Sequence, residues 1–516
     1  MRKLLLAAMA MMLVNLSAIE AAPGIQRPNI LFIMVDEMRW DAMSCAGHPL
    51  IKTPHLDRLA REGTHFTTAY TCSAVCSPSR YSFFSGRYAH VHGALTNGVL
   101  PRENQLLLPT LLKHYGYETA ISGKLHFTPA QADFDFDHFW SFAGEGPGKL
   151  QRWPEYLNAN LGPKGERFVP GSRPYPNDPL GGDIAQLAYP QEDYQTFWIT
   201  DRAVDFLRMR QPDKPFFLFV SYLDPHSPSH LPEPYWSMAA AMKVPAPRIP
   251  DAIKQERAEA VRNDARGGGR HLIDDEEMAR ALTANYYATM SMVDDNVGRL
   301  LDQLQSLGLA QDTILVFTAD HGNMLGDHGR WFKGVAYEGS SRIPLLMKAA
   351  STIPAARAFN QGKVVPEIVE NIDVMPTLLE MAGLTAPERG IQGASMVGLV
   401  SGTDRKWKNR AFEERGSMMI RTPQYKLIKN DPKGLRRGER EYELYDLTRD
   451  PKEEHDLAAD PALAQVLEQL KAQLEAWHND VPPVPTVAGL KIPAYDTGPD
   501  AQQSKRAGKK ARAKRQ

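Results

Sequence analysis

Short apolar runs separated by amphipathic stretches are the main pattern of this chain. Residues 28–35 (PNILFIMV) form a continuous apolar run, which is typical of a strand buried on both faces of a sheet. Further strands are predicted at residues 119–122, 216–222, 313–318 and 344–347. Helical patterns lie between the strands, the longest at about residues 277–307. Strands that alternate with helices predict an α/β fold with a mostly parallel sheet.

Two short helices have clear start and stop signals. Thr53 and Pro54 predict the start of the first helix, with Thr53 as its cap, and Gly63 predicts its end. A second helix is predicted from Cys76, ending at Gly86. Cys76 is therefore expected at a helix N-terminus.

The pattern changes after about residue 409, where short alternating runs predict antiparallel strands at residues 417–421, 425–428 and 442–447. An apolar stripe predicts a helix over residues 461–478. We therefore predict a catalytic domain over residues 28–400 and a smaller C-terminal subdomain, an antiparallel sheet plus a helix, over residues 405–480. The charged stretch at residues 251–275 is interpreted as a surface insertion.

The two ends of the chain differ from the part between them. A positive start, an apolar run and small residues predict a signal peptide over residues 1–22. The run is short for a bilayer, and no later segment has the length and apolarity of a transmembrane helix. We expect an exported protein, periplasmic or secreted, that is not transmembrane. Residues 481–516 are expected to form a tail whose basic end is a solvated segment or a contact to an anionic surface.

Composition excludes some functions and draws attention to one thiol. The net charge of the 516 residues is −1, so no global field attracts a polyanion and no nucleic-acid partner is expected. The chain has three cysteines, Cys45, Cys72 and Cys76. An exported protein usually pairs its thiols, so an odd number leaves one for a reactive role.

Polar residues follow several of the predicted strands. They are Asp36, Lys124, His226, Asp320 and His321. In open α/β sheets, ligands bind beyond the carboxyl ends of the strands. Distant segments of the chain are therefore expected to deliver one active site to this edge.

The run Cys76-Ser77-Pro78-Ser79-Arg80 carries the strongest chemical signal. A helix N-terminus and a guanidinium make the position of Cys76 electropositive, which favours a reactive sulfur and an anionic ligand. The run resembles the C-x-P-S-R signature of type I sulfatases, in which a maturation enzyme oxidises the cysteine to formylglycine. Residues 116–124 (GYETAISGK) are similar to a second signature of that family.

The resemblance implies an alkaline phosphatase-like fold, a mostly parallel sheet flanked by helices, with a smaller antiparallel subdomain. It also implies a Ca²⁺ site, or one for Mg²⁺ or another divalent metal. The implied ligands are Asp36, Asp320, His321 and the side chain derived from Cys76. Glu37 either ligates the metal or forms a hydrogen bond nearby, because the family more often has another residue there. Oxygen-rich ligation suits hard cations, and His321 makes the choice of Ca²⁺ less firm.

The resemblance further implies a sulfatase that acts through the gem-diol of formylglycine. The sulfate cradle and the proton donor would come from Arg80, Lys124, His126, His226 and Lys333. For His126, a structural hydrogen bond is a competing explanation. The substrate would be a sulfated small molecule or polysaccharide, since residues 325–334 resemble choline sulfatases and iduronate-type polysaccharide sulfatases.

Two other functions stay open on the sequence. One is a phosphonate or phosphate ester hydrolase of the same superfamily, which the Asp-His pair and the Asp36-Glu37-Met38 run also resemble. The other is an inactive homologue that binds glycans through the same pocket. The presence of both Cys76 and Lys124 argues against this second alternative.

Overall fold

The structure is a computed structural model, and it describes residues 27–102, 105–141, 145, 168–169, 172, 184–247, 276–387, 389–432 and 440–493. The predicted signal peptide, the insertion at residues 251–275 and the basic end of the tail lie outside the described residues. Within these ranges, no helix has the length and apolar character needed to cross a membrane.

The strands of the described chain belong to three sheets. In chain order they are β1 Asn29–Val35, β2 Thr64–Phe66, β3 Ala69–Tyr70, β4 Glu118–Gly123, β5 His138–Ser141, β6 Phe216–Tyr222, β7 Thr313–Ala319, β8 Arg342–Ile343, β9 Leu345–Lys348, β10 Lys363–Val365, β11 Val369–Glu370, β12 Ala411–Arg415, β13 Ser417–Arg421, β14 Tyr425–Lys429 and β15 Tyr442–Asp446.

An eight-stranded sheet with the order β10-β2-β9-β7-β1-β6-β4-β5 forms the centre of the molecule. Its neighbouring strands are parallel except where β9 pairs with β7 and β2. Strand β1 is buried along its whole length, as its unbroken apolar run predicts. The prediction of a mostly parallel α/β sheet is confirmed.

The helices lie between and around these strands. They are α1 Pro54–Glu62, α2 Cys76–Ser85, α3 Ala89–His92, α4 Leu108–His114, α5 Gln195–Met209, α6 Tyr235–Ala241, α7 Glu276–Ser306, α8 Glu338–Ser341, α9 Val374–Met381, α10 Val397–Ser401 and α11 Ala464–Asn479.

Aromatic packing holds helix α2 against the central sheet. Phe84 of α2 contacts Phe32 of β1 and Phe219 of β6 edge to face, with ring centroids 5.8 and 4.9 Å apart. Phe32 and Phe219 also contact each other at 5.5 Å. Each such pair contributes about 0.5–1.5 kcal/mol beyond the area it buries. The cluster therefore fixes the position of the helix whose first residue is Cys76.

A separate four-stranded antiparallel sheet, β12-β13-β14-β15, confirms the predicted smaller sheet. Apolar residues from its strands and from α11 form one cluster, which includes Phe412, Leu427 and Trp477. The sequence pattern predicts β13 to β15 but not β12. Glu413 and Glu414 lie inside β12 and are buried, which interrupts its apolar pattern.

Helix α1 is capped by a residue of another helix. Thr53 precedes it, as predicted, but its side chain makes no capping hydrogen bond, and its hydroxyl accepts one from the Ser44 N–H (2.9 Å). The backbone N–H groups of His55 and Leu56 donate to the carboxylate of Asp294, at 3.1 and 2.8 Å. The cap therefore joins α1 to α7, and the expected role of Thr53 as the cap is wrong.

Replacement of this cap tests how much the junction between α1 and α7 contributes to stability. Asp294→Ala should lower the free energy of unfolding by about 1–2 kcal/mol, because two N–H groups lose their acceptor. Asp294→Asn keeps one acceptor oxygen and should lose less. Urea unfolding measures both variants. An alanine variant as stable as the unmodified protein would contradict the capping role.

The same carboxyl predicts a dependence of stability on pH. Burial raises the pKa of Asp294 from its ordinary 3.8 to about 7, although the N–H groups of His55 and Leu56 lower it. A raised pKa stabilises the folded state below 3.8, and this contribution is lost as the pH rises through about 7. In Asp294→Asn the unfolding free energy should therefore fall less between about pH 4 and about pH 7 than in the unmodified protein.

Candidate active site

Four neighbouring parallel strands, in the order β7-β1-β6-β4, end at one edge of the central sheet. Each is followed by one or more of the polar residues singled out in the sequence: Asp36 after β1, Lys124 after β4, His226 after β6, and Asp320 with His321 after β7. Parallel strands bring their carboxyl ends to the same side, so residues far apart in the chain share one site.

A glycine lets two of these strands approach closely. Gly123, the last residue of β4, has a φ of 112°, and a Cβ there would lie 1.9 Å from the carbonyl oxygen of Ser221. The neighbouring Lys124 N–H donates to that oxygen at 3.0 Å. A side chain at position 123 would break this contact and displace Lys124.

Cys76 is the first residue of helix α2, as predicted, and it is buried. Its Sγ lies 3.3 Å from His321 Nε2, 3.5 Å from Lys333 Nζ and 3.7 Å from Asp36 Oδ1. Helix α2 ends at Gly86, whose φ is 64°. The thiol therefore lies where a helix N-terminus, two basic groups and a carboxylate meet.

Arg80, one turn after Cys76, binds the two carboxylates of the site. Its Nε donates to Asp320 Oδ2 at 2.9 Å, and its Nη2 donates to Asp36 Oδ2 at 3.3 Å. Its Nη1 donates to the Lys124 carbonyl at 2.7 Å and to Ser221 Oγ at 2.8 Å. With 1% of its surface exposed, the guanidinium orients protein groups and does not face open space.

The carboxylate of Asp36 is held in its charged form by the basic groups around it. Burial alone would raise its pKa. Four basic residues instead hold this pKa well below its ordinary range. In order of decreasing effect they are Lys124, Lys333, His226 and Arg80. The ammonium of Lys124 donates directly to Asp36 Oδ2.

The thiol of Cys76 is affected in the same way. Burial and the charge of Asp36 both raise its pKa, but Lys124, Lys333 and His321 together bring it well below the ordinary value. Such a site favours a negative charge at position 76, which is the environment that an anionic substrate needs.

The donor set fits a divalent metal. Asp36, Cys76, Asp320 and His321 each offer one ligand atom, and these atoms all lie within 4.8 Å of one another. Within the part of the chain that the structure describes, Glu37 Oε1 is buried without a hydrogen-bond partner, as expected for an oxygen that faces a cation. Carboxylate oxygens suit a hard cation, and one imidazole nitrogen also permits a softer one.

Lys333 and His226 surround Glu37. Lys333 Nζ lies 3.4 Å from Glu37 Oε2, and His226 Nε2 lies 3.9 Å from the same oxygen. The His226 ring, 30% exposed, bonds through Nδ1 to the Ser227 carbonyl at 2.6 Å, which directs Nε2 toward the site.

His126 lies beside the site but is joined to it through its backbone. Its N–H donates to Glu145 Oε1 at 3.0 Å, and its carbonyl accepts from Ser77 Oγ at 2.6 Å. Its Nδ1 is buried, and no residue that the structure describes forms a hydrogen bond with it. Among the described residues, no hydrogen bond or ion pair joins the His126 side chain to Cys76 or to the two carboxylates.

Sequence reasoning missed residues that position the motif. Ser79 Oγ donates to the Asp320 carbonyl at 2.6 Å, and Asn371 Nδ2 donates to the Ser79 carbonyl at 3.2 Å. Asn97 Oδ1 accepts from the Ser77 N–H at 3.0 Å. The two serines lie in the motif and could have been considered from the sequence. The asparagines carry no local signal, since only folding brings them near it.

Two family descriptions match this chain. The sulfatase family matches residues 28–384, and the C-terminal family of N-sulphoglucosamine sulphohydrolase matches residues 326–480. Together they cover the central sheet and the smaller antiparallel sheet.

Among similar proteins are an arylsulfatase of Clostridium perfringens and the multifunctional alkaline phosphatase superfamily protein PehA of Trinickia caryophylli. The first is 32% identical over 83% of this chain and 89% of its own length. The second is 31% identical over 87% of this chain and 95% of its own length.

A solved structure of a phosphonate monoester hydrolase of Agrobacterium radiobacter is similar, with a TM-score of 0.73 and 25% identity. It matches over 88% of this chain and 96% of that one. A structure described as a complex with its substrate D-glucosamine-2-N,6-O-disulfate gives a TM-score of 0.67 at 26% identity, over 88% and 97% of the two chains. From the match over residues 28–384 and the identity to the arylsulfatase, the chain belongs to the sulfatase family and is a sulfuric ester hydrolase.

Proposed function

We propose that this enzyme hydrolyses sulfate monoesters of a sulfated carbohydrate, with formylglycine derived from Cys76 as nucleophile and a divalent metal beside it. The main supporting observation is the position of the Cys76 Sγ, 3.3 to 3.7 Å from His321, Lys333 and Asp36. A nucleophile at this point meets the anionic group of a substrate among basic side chains.

The proposed metal ligands are Asp36, Asp320, His321 and the side chain at position 76, with Glu37 as a further donor through its unpartnered oxygen. A bound divalent cation, Ca²⁺ or Mg²⁺ by the ligand chemistry, would stabilise negative charge on the sulfate and on the nucleophile. Arg80 keeps Asp36 and Asp320 in place and partly neutralises them, so the same site tolerates both the carboxylates and a sulfate.

Conversion of Cys76 would supply a nucleophile that can be regenerated. The hydrate of an aldehyde at position 76 offers one hydroxyl to attack sulfur and a second whose deprotonation expels sulfate and restores the aldehyde. An ordinary hydroxyl would form the sulfate ester but has no second hydroxyl to expel the sulfate. We infer that a formylglycine-generating maturation enzyme is a partner of this chain, because the Cys76 to Arg80 run matches its recognition sequence.

Charged side chains would bind the sulfate and complete the proton transfers. Lys124 and Lys333 would bind sulfate oxygens, because the ammonium of Lys124 contacts Asp36 and that of Lys333 contacts the Sγ of Cys76. His226 would donate a proton to the departing alcohol, because its Nε2 faces the site while its Nδ1 bonds to a carbonyl. His126, with an unpartnered Nδ1, would contact the substrate at the edge of the site.

Two relatives that act on sulfated carbohydrates support a carbohydrate substrate. An N-acetylglucosamine-6-O-sulfatase of Bacteroides thetaiotaomicron and an ulvan-active sulfatase of Formosa agariphila are each 28% identical over 87% of this chain. The predicted signal peptide supports export to the periplasm or outside the cell, where such substrates occur.

A second activity, on phosphonate or phosphate esters, has a specific observation in its favour. The phosphonate monoester hydrolase structure of Agrobacterium radiobacter matches with a TM-score of 0.73. Preplaced cations and a bound metal would also stabilise the negative charge of a phosphoryl group.

A direct comparison of substrates tests the proposed function. Matured enzyme should release sulfate from sulfated saccharides with a kcat/KM at least about tenfold above that for an aryl phosphonate monoester, a free-energy difference of about 1.4 kcal/mol. Ion chromatography of the released anion measures both. A higher kcat/KM for the phosphonate would contradict the proposal and would make phosphonate ester hydrolysis the main activity.

Cys76→Ala should lower kcat on the order of 10⁴-fold or more, because the nucleophile is removed. Peptide mass spectrometry of protein made with a maturation enzyme should show an aldehyde at position 76 alone. Cys45→Ala is the matched control and should keep full activity, whereas Cys72 is fully buried and a poorer control. Full turnover by protein with an unmodified thiol would contradict the mechanism.

Asp320→Asn should weaken metal binding by at least about 100-fold, because a charged oxygen ligand is lost. Equilibrium dialysis with metal analysis measures this without reference to turnover. Asp327→Asn is the control, since Asp327 binds Arg39 at the surface and lies outside the donor set. Unchanged metal content in the Asp320 variant would exclude it as a ligand.

A further inference from the structure

Three residues away from the active site bring metal-binding atoms together. His90 belongs to helix α3, Glu414 to strand β12 and His478 to helix α11. Each offers one ligand atom, and these atoms lie within 4.8 Å of one another. Two imidazoles and a carboxylate are a ligand set that Zn²⁺ uses, with a water in the fourth position.

The two ring nitrogens of His90 both lie near oxygen acceptors. That nitrogen lies 2.8 Å from Glu414 Oε1, and Nε2 lies 3.4 Å from the Asp480 carbonyl oxygen. A neutral imidazole has one N–H, so it cannot donate to both acceptors. When Nε2 donates to the Asp480 carbonyl, Nδ1 presents its lone pair on the Glu414 side, where it can bind a metal ion. Histidines that bind metals usually donate their other N–H to a carbonyl or carboxylate, as Nε2 can do here.

The distance between His478 and the Glu414 carboxylate is longer than a hydrogen bond. His478 Nδ1 lies 3.6 Å from Glu414 Oε2, beyond the ordinary hydrogen-bond range. Metal–nitrogen and metal–oxygen bonds of about 2.0–2.2 Å at a tetrahedral centre place two ligand atoms about 3.3–3.5 Å apart. Glu414 Oε1 already accepts the backbone N–H of His90, which leaves Oε2 for an ion.

The site is rigid on one side and accessible on the other. Trp477 stacks on Phe412 with centroids 4.8 Å apart and contacts the His90 ring edge to face, also at 4.8 Å. His478 has 44% of its side chain exposed, and it lines with Glu414 a cavity of about 360 Å³. An ion can therefore enter, and the cavity has room for the water that completes its coordination.

We propose that His90, Glu414 and His478 form a second metal site, which takes Zn²⁺ or a similar transition-metal ion and is distinct from the site at Asp36 and Asp320. Two imidazole nitrogens favour such an ion over Ca²⁺ or Mg²⁺, which prefer oxygen ligands. Because the ligands come from α3, β12 and α11, the ion joins the C-terminal helix to the part of the chain that carries Cys76.

Isothermal titration of the full-length protein with Zn²⁺, after chelator treatment and reloading with Ca²⁺, tests this site. One equivalent of Zn²⁺ should bind to the unmodified protein. Its affinity should be at least about tenfold lower in His478→Ala and in Glu414→Gln, because each variant loses a ligand. The same equivalent should persist in Asp320→Ala, which separates it from the active site. His455→Ala is the matched control, since His455 is 78% exposed and outside the ligand set.

Thermal unfolding gives a second measurement that does not depend on turnover. Zn²⁺ should raise the Tm of the Ca²⁺-loaded protein and of His455→Ala, but not that of His478→Ala, because an ion that binds only the folded state stabilises it. Zn²⁺ binding of equal strength in His478→Ala and unmodified protein would overturn the proposal. So would the absence of any Zn²⁺ equivalent that survives Asp320→Ala, which would leave a hydrogen bond between His90 and Glu414 without a metal ion.

Discussion

Two carboxylates buried at the same edge of a sheet, Asp36 and Asp320, set the constraint on which the rest of this site depends. Both side chains are fully buried, and an unpaired charge in such a place is strongly unfavourable. Arg80 binds one oxygen of each, and Lys124 binds Asp36 as well. Removing Arg80 would take from both carboxylates the guanidinium that pairs them, and breaking a buried ion pair costs about 3–5 kcal/mol.

This constraint explains why the site is organised before any substrate binds. Arg80 reaches both carboxylates because Phe84, on the same helix, packs against Phe32 and Phe219 of the sheet. The same helix places Cys76 at its N-terminus, among the cations that surround Asp36. Charge balance and core packing therefore fix the reactive position together, which is the preorganisation that electrostatic catalysis requires.

The smaller sheet contributes to the same region from the other side. Strand β12 donates its Glu414 N–H to the Cys72 carbonyl at 3.1 Å, and Glu413 Oε1 accepts the Ala74 N–H at 3.1 Å. Strand β12 of the smaller sheet therefore holds the segment that leads into Cys76. The proposed site at His90, Glu414 and His478 takes Glu414 from that strand, so an ion there would strengthen an attachment that the backbone already makes.

The sequence by itself determined the central strands, because short unbroken apolar runs bounded by polar residues are typical of strands buried on both faces. It also located Cys76 and Arg80, because their motif is contiguous. It did not determine β12, since buried Glu413 and Glu414 are stable only where distant N–H groups reach them. Only the tertiary structure decided that Arg80 is almost fully buried and binds two carboxylates. Such hydrogen bonds join segments that are distant in the chain. They form only where the ends of different strands meet in space, and no local sequence pattern specifies those positions.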